Sequence, residues 1–268
     1  MYVATYAIEG AEDQAEALDR LEALGVTHAF VSPGRPPGAR FMRVAERWEG
    51  RLILHHACLQ PPGAPPWNLA ASDADARAIA VKQASDTLRT SSELGATAYS
   101  LLPGYALETT RGRPSPTSRV RALDQLARSL DALANLADAL RLPVWIENQP
   151  GDRNDPRLWI EPGEMRKTLE RLDAPPLGLL LDVSHWQLAC QARHWEPEPV
   201  LDEIRPFVRA VVVHRNDAVN DRPLAPKEGG IEIAIARHFG AAPWIFEARH
   251  LGERALKEAI AFLEEARR

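Results

Sequence analysis

A single-domain α/β protein of the (β/α)8 TIM-barrel class, spanning residues 1–268, is the fold this sequence predicts. Three observations carry the prediction. First, four short apolar runs each close on a metal-capable side chain: VWIE on Glu147, LGLLLD on Asp182, AVVVH on His214 and WIFE on Glu247. Second, these residues are evenly spaced, at 35, 32 and 33 positions (147→182, 182→214, 214→247). A parallel strand, its crossover helix and two loops need about 30 residues or more, and 268/8 is 33.5. Third, the run Leu177–Leu181 is apolar without alternation, as in a strand buried on both faces. In an eight-fold barrel the C-terminal strand ends converge on one mouth, where the chemistry sits.

The elements follow in order. Val3–Ile8 is predicted as the first strand. A helix over Glu12–Leu24 carries Ala15, Leu18, Leu21 and Leu24 at helical spacing and stops at Gly25. Thr27–Val31 is the second strand, Pro33–Gly38 a turn, Phe41–Trp48 a short helix, and Arg51–Ala57 a third strand with His55 and His56 at its end. The loop Gln60–Trp67 is either a stiff spacer or a lip over the mouth. Ser72 with Asp75 suggests a capping box for a helix reaching Leu94, with Ile79, Ala84, Leu88 and Leu94 apolar and Gly95 as the stop.

Thr97–Leu102 is the fourth strand, broken by Pro103–Gly104, and the loop Tyr105–Pro116 carries Arg111 and Arg113. Thr117 or Ser118 caps a helix through Leu140 whose stripe is Val120, Leu123, Leu126, Leu130, Leu133, Leu136 and Leu140. Strand five is Val144–Glu147, opened by Pro143, and strand six ends at Asp182. Pro197–Phe207 is helical, Arg209–His214 is strand seven, Ile231–Phe239 a short helix and Pro243–Glu247 strand eight. Arg254–Ala266 closes the barrel through Leu256, Ala259, Ile260 and Leu263. No linker or change of composition divides the chain.

Bulk properties narrow the function. The net charge of −5, from 32 basic and 37 acidic residues, argues against the broad basic footprint of a nucleic-acid binder. Cys58 and Cys190 are far apart and form no CxxC, which fits a reducing, cytoplasmic setting. The first ten residues have no basic segment followed by a long apolar core, so no signal peptide is expected. No apolar run of about 18 residues marks a membrane span.

Three carboxylates and an imidazole brought to one point would repel and partly protonate unless a cation lay between them. Glu147, Asp182, His214 and Glu247 therefore read as one divalent-metal site. Its oxygen-rich donor set favours Mn²⁺, Mg²⁺ or Co²⁺, with Fe²⁺ and Zn²⁺ compatible. The alternative for any single carboxylate is a helix N-cap or a salt-bridge partner. Asn148 and Gln149, next to a ligand, are candidates for supporting it. Asn216–Asp217 would orient His214 or begin a turn. Trp145, Trp186, Trp195 and Trp244 are either core or sugar-stacking residues, and Lys227 lies in a glycine-rich loop. No organic cofactor site is expected.

The pieces IENQP (146–150), LDVSH (181–185), VVVHRND (211–217), EGGIEI (228–233) and IFE (245–247) resemble the xylose isomerase-like TIM-barrel superfamily, in its sugar phosphate isomerase/epimerase branch. NLAASDADAR (68–77) and ELGATAYSLLPG (93–104) extend the resemblance over most of the chain. It implies that Glu147, Asp182, His214 and Glu247 hold one metal ion, that His185 faces the substrate, and that Arg215 or Arg222 binds it. His56, with His55, is a further candidate at the mouth. The chain has Leu102 where DNA-repair relatives and many others carry a histidine, which counts against abasic-site cleavage.

The resulting expectation is a metal-dependent isomerase or epimerase acting on a small-molecule sugar, sugar phosphate or keto-polyol. It would work by α-proton abstraction through a metal-stabilised enediolate, with Glu147 and Glu247 as the two bases and His185 bonding a hydroxyl. A lyase or dehydratase, or a biosynthetic modifying enzyme of the same fold, begins with the same step. An abasic-site phosphoesterase and a non-catalytic binding barrel are the remaining alternatives. No membrane or nucleic-acid partner is expected, and a homo-oligomer stays open.

Overall fold

Eight short runs rich in Val, Ile, Leu and Ala cannot each hide two apolar faces alone, and the chain solves this by closing them into a ring. In the computed structural model, which describes residues 1–60, 67–106, 109–110, 113–114, 116–151, 155–216 and 223–268, the strands are β1 (Tyr2–Ala4), β2 (His28–Val31), β3 (Arg51–His55), β4 (Ala98–Leu101), β5 (Val144–Glu147), β6 (Leu177–Asp182), β7 (Val208–Val213) and β8 (Trp244–Phe246). All pair in parallel with their sequence neighbours, and β1 pairs with β8 to close the barrel. The (β/α)8 expectation therefore holds. A short antiparallel pair, Thr109–Thr110 with Arg113–Pro114, forms a separate two-stranded sheet.

Nine helices are formed by described residues: α1 (Gln14–Ala23), α2 (Phe41–Glu46), α3 (Ala74–Glu93), α4 (Pro116–Leu140), α5 (Pro162–Leu172), α6 (Val183–Arg193), α7 (Pro197–Ile204), α8 (Ile231–His238) and α9 (Glu253–Arg267). Helix α1 ends as its sequence predicts. Gly25 takes the left-handed conformation, at φ +80. Val26 N donates to Leu21 O at 3.0 Å, and Gly25 N donates to Glu22 O at 2.9 Å. No helix among the described residues is long and apolar enough to cross a membrane.

The pleat divides the core in two. Every second strand residue points into the barrel, where Tyr2, Ala4, Phe30, Ile53, Ala98, Trp145, Leu180, Ala210, Val212 and Ile245 form one cluster. The alternate residues, among them Val31, Leu54, Ile146, Leu181, Val211 and Phe246, pack outward against helix residues such as Leu18, Leu88, Leu126, Leu130, Leu256 and Leu263. Each such fully buried side chain contributes about 2 kcal/mol.

Several local expectations are corrected. β1 stops at Ala4 because Thr5–Ala7 coils into a 3-10 turn. The cap of α3 is Asp73, not Ser72: its carboxylate accepts from Ala76 N at 2.7 Å. Helix α4 begins at Pro116, so Thr117 and Ser118 lie inside it rather than capping it. Val120 and Ile79 are 62% and 59% exposed, so each stripe extends a turn too far. The buried face of α4 uses Ala122, Ser129, Ala134 and Ala137 as well as Leu126, Leu130 and Leu133. Helices α5 and α6 add to the expected elements; α5 buries Pro162, Met165, Thr168 and Leu169 at helical spacing, whereas α6 has no such stripe. Strands β5 and β6 end where the sequence places them.

Candidate metal and catalytic site

The inward cluster makes the site predictable one step further along each strand. Two residues past Ile53, Ala98, Trp145, Leu180, Val212 and Ile245 stand His55, Ser100, Glu147, Asp182, His214 and Glu247. The apolar plug that fills the barrel thus gives way to a layer of polar side chains at the C-terminal mouth. Tyr6 and Ser32 occupy the corresponding positions after Ala4 and Phe30. A cavity of about 440 Å³ opens above, lined by Tyr6, His55, Glu147, His185 and Glu247 among others.

Asp182 is the centre. It is fully buried, and its two oxygens act differently. Oδ1 accepts from His185 N at 2.8 Å, capping α6, and Oδ2 lies 2.9 Å from His214 Nε2. The same carboxylate thus caps a helix and belongs to the buried cluster at the mouth. Burial by itself would raise its pKa, but the nearby His185 and His214 and these hydrogen bonds hold it at about 2. His214 is buried too. Burial opposes its charge, yet Asp182 and Glu247 raise its pKa above the usual imidazole value.

His185 sits in the first turn of α6, with Nδ1 2.9 Å from the Asn148 carbonyl and 3.3 Å from Glu147 Oε1. Nδ1–H donated to that carbonyl leaves Nε2 with its lone pair. Donor atoms of Asp182, His185 and His214 lie within 4.8 Å of one another, a buried oxygen-and-nitrogen set that could hold a metal ion. Asn148 supports it from behind: its Oδ1 accepts from Asp182 N at 2.6 Å and its Nδ2 donates to Asp182 O at 3.1 Å.

Glu147 and Glu247 flank this centre on β5 and just past β8. Glu147 Oε2 is 3.6 Å from His55 Nε2. Glu247 accepts a hydrogen bond from the Tyr6 hydroxyl, and burial raises its pKa, with Asp182 adding to the rise. His55 Nδ1 is 2.9 Å from Ser100 Oγ, its ring stacks on Phe30, and burial and His185 push its pKa down to about 3.

Other expected residues lie elsewhere. His56 is in the left-handed region, at φ +48, and its Nε2 accepts from Trp67 Nε1 at 2.6 Å, turned away from the cavity lining. Arg215 Nε donates to Ala225 O at 3.4 Å and does not line the cavity. Arg222, Asp217, Arg111 and the stretch 61–66 lie outside the described residues. Asn216 Nδ2 donates to Ser184 O at 2.9 Å, and Gln149 Nε2 to Gly104 O at 2.8 Å. Trp145, Trp186 and Trp244 are core residues, while Trp195 lies beside Trp186 with Arg193 over its ring. Leu102 lines the cavity. Tyr6, Ser100, Arg35, Arg157 and Arg249 are mouth residues that strand-end reading misses. The two-residue offset from the inward cluster finds Tyr6 and Ser100; the arginines are in loops and carry no periodic signal.

The sequence profile of the family described as xylose isomerase-like TIM barrel matches residues 51–266. Among solved structures, a D-tagatose 3-epimerase-like protein superposes with a TM-score of 0.76 at 17% identity, covering 99% of this chain and 96% of that one. The 3-keto-D-glucoside 4-epimerase of E. coli gives 0.72 at 14%, covering 99% of both. Endonuclease IV from Thermus thermophilus gives 0.63 at 17%, covering 98% of this chain and 99% of that one. At these identities the likeness is one of fold. Nothing among curated proteins matches the chain.

Proposed function

This chain belongs to the xylose isomerase-like TIM-barrel family, and from that premise we propose that it is a divalent-metal-dependent sugar or keto-polyol isomerase or epimerase. The observation that carries the reading is the buried Asp182, His185 and His214 group, set beneath a cavity that Glu147 and Glu247 also line. The metal would be held by Glu147, Asp182, His214 and Glu247, with His185 beside them. Mn²⁺, Mg²⁺ or Co²⁺ suits this oxygen-rich set best. Such an ion supplies a Lewis acid that draws electrons from a substrate carbonyl.

The chain's own residues do the rest. Glu147 and Glu247 are separated by the two strands that carry Asp182 and His214, so they reach a bound carbon from different sides. One takes the proton from the carbon next to the carbonyl, and the other returns a proton to the opposite face. The raised pKa of Glu247 suits a group that must be protonated in part of the cycle, and Tyr6 fixes the orientation of its carboxylate. His185 hydrogen-bonds a substrate hydroxyl. The structural likeness to sugar epimerases supports the substrate class. The two buried free thiols, Cys58 and Cys190, suit a cytoplasmic enzyme.

The test is isotope exchange. With Mn²⁺ and a panel of ketoses in D₂O, deuterium enters the carbon next to the carbonyl of at least one sugar. Glu247→Gln lowers that rate by a factor of about 100 or more. No uptake by the wild type from any ketose or ketose phosphate of the panel overturns the proposal.

A further inference from the structure

We infer that the mouth cavity takes a substrate bearing an anionic group, a phosphate or a carboxylate, bound by Arg35 and Arg249 at the β8–β1–β2 edge. The inference rests on the isomerase or epimerase reading above and names the chemical class of substrate for the same cavity.

The chain as a whole carries −5, yet three guanidinium groups line this cavity: Arg35, Arg157 and Arg249. Arg157 is paired with Asp155. The other two are not paired with a carboxylate among the described residues. Arg35, in the loop after β2, is 9% exposed. Its Nη atoms donate to the carbonyls of Thr5 and Ile8, on either side of Tyr6. Arg249, in the loop after β8, lies 5.9 Å from the centre of the Tyr6 ring. Both arginines thus lie beside one residue, Tyr6, at the mouth, Arg35 held there by its hydrogen bonds.

Carbonyl oxygens and an aromatic face do not neutralise a cation. Arg249 is exposed; the buried one is Arg35, whose pKa is lowered by burial and by Arg20, with Glu16 opposing in part. Each guanidinium has five N–H donors in a planar fork suited to phosphate and carboxylate. The two carbonyls account for two of the five on Arg35, which leaves donors for a ligand. Position agrees with this role. β1 lies between β8 and β2 and faces β5 across an eight-membered ring. An anion beside Tyr6 would sit across the mouth from Glu147, on the side of Glu247, which accepts from the Tyr6 hydroxyl. Loops after the last strands of such barrels often hold phosphate.

Calorimetry on the full-length Mn²⁺-loaded protein tests this with D-fructose, D-fructose 6-phosphate and D-gluconate as probes. At least one anionic probe binds about tenfold or more tighter than fructose, as one lost charge-assisted hydrogen bond implies. Arg249→Gln, at an exposed position, removes that advantage, so that the anionic probe binds no tighter than fructose. A gain for the phosphorylated probe alone assigns phosphate, and a gain for gluconate alone assigns carboxylate. Equal affinity for all three in the wild type overturns the inference, as does an advantage that survives in both Arg249→Gln and a folded Arg35→Lys. The two readings fail separately. Deuterium uptake from fructose with no preference for an anionic probe removes only the anion site. Arg249-dependent anion binding with no uptake from any probe removes only the isomerase reading.

Discussion

The two halves of the barrel mouth are built on the same pleat but carry opposite electrostatics. On β5 to β8 the polar layer is Glu147, Asp182, His214 and Glu247. On β1 to β4 it is Tyr6, Ser32, His55 and Ser100. Two buried histidines make the contrast plain. His214 faces Asp182 at 2.9 Å and is driven toward its charged form. His55 faces the Ser100 hydroxyl at 2.9 Å and is driven toward neutrality. Burial opposes the charge on both; Asp182, hydrogen-bonded to His214 at 2.9 Å, reverses the outcome there, while Glu147, 3.6 Å from His55 Nε2, does not. The polar layer of one half is therefore suited to a cation and to proton transfer, and that of the other, beside Arg35, to neutral hydrogen bonding.

The sharpest way to break the contrast is at Asp182. In chelated protein, Asp182→Ala leaves His214 buried without its partner and removes the cap of α6, costing about 3–5 kcal/mol in urea unfolding. Asp182→Asn keeps a good cap and costs about 1 kcal/mol less, while metal content falls in both. Wild-type metal content in Asp182→Asn, by elemental analysis, would remove Asp182 from the site.

Next in size is an opposed pH response. His214 has a raised folded value, so its contribution is complete below the ordinary 6.5 and is lost as pH rises through the folded value. His55 is lowered from 6.5 to about 3. The unfolded chain takes up its proton first, so stability from this group falls by about 1.4 kcal/mol per pH unit below 6.5, until about pH 3. Imidazole NMR titration of the chelated protein should show His55 neutral at about pH 5, while His214 stays protonated above the ordinary imidazole value. Both rings titrating together near that ordinary value would erase the distinction.

The smallest effect belongs to the neutral half. Ser100→Ala removes one uncharged hydrogen bond from His55 and should cost about 1 kcal/mol in the same unfolding measurement. A loss as large as that of Asp182→Ala would mean that the two halves are not energetically distinct.

What can be read in the sequence follows the same division. The β5 to β8 side is legible because each strand is an unbroken apolar run closed by a charged or titratable group, as in LGLLLD. The β1 to β4 side is not, because Tyr6 and Ser100 are types that fit a core or a turn equally well. His55 and His56 look equivalent in sequence. Only the left-handed backbone at His56 separates the ring at the mouth from the ring that meets Trp67. Helix α6 has apolar residues on all sides and is buried over much of its length, so it has no stripe to detect. Val120 and Ile79 continue their stripes in sequence but lie exposed, with no described residue covering the helix there.

The double duty of Asp182 gives the barrel a form of proofreading. One carboxylate fixes the first residue of α6 and the position of the His214 ring, so the two cannot be set independently. A chain that began α6 one residue late would move His185 off its Asn148 carbonyl and leave His214 unpaired in the same event. Molecules with a competent mouth are then only those whose sixth strand and following helix are joined in the correct register.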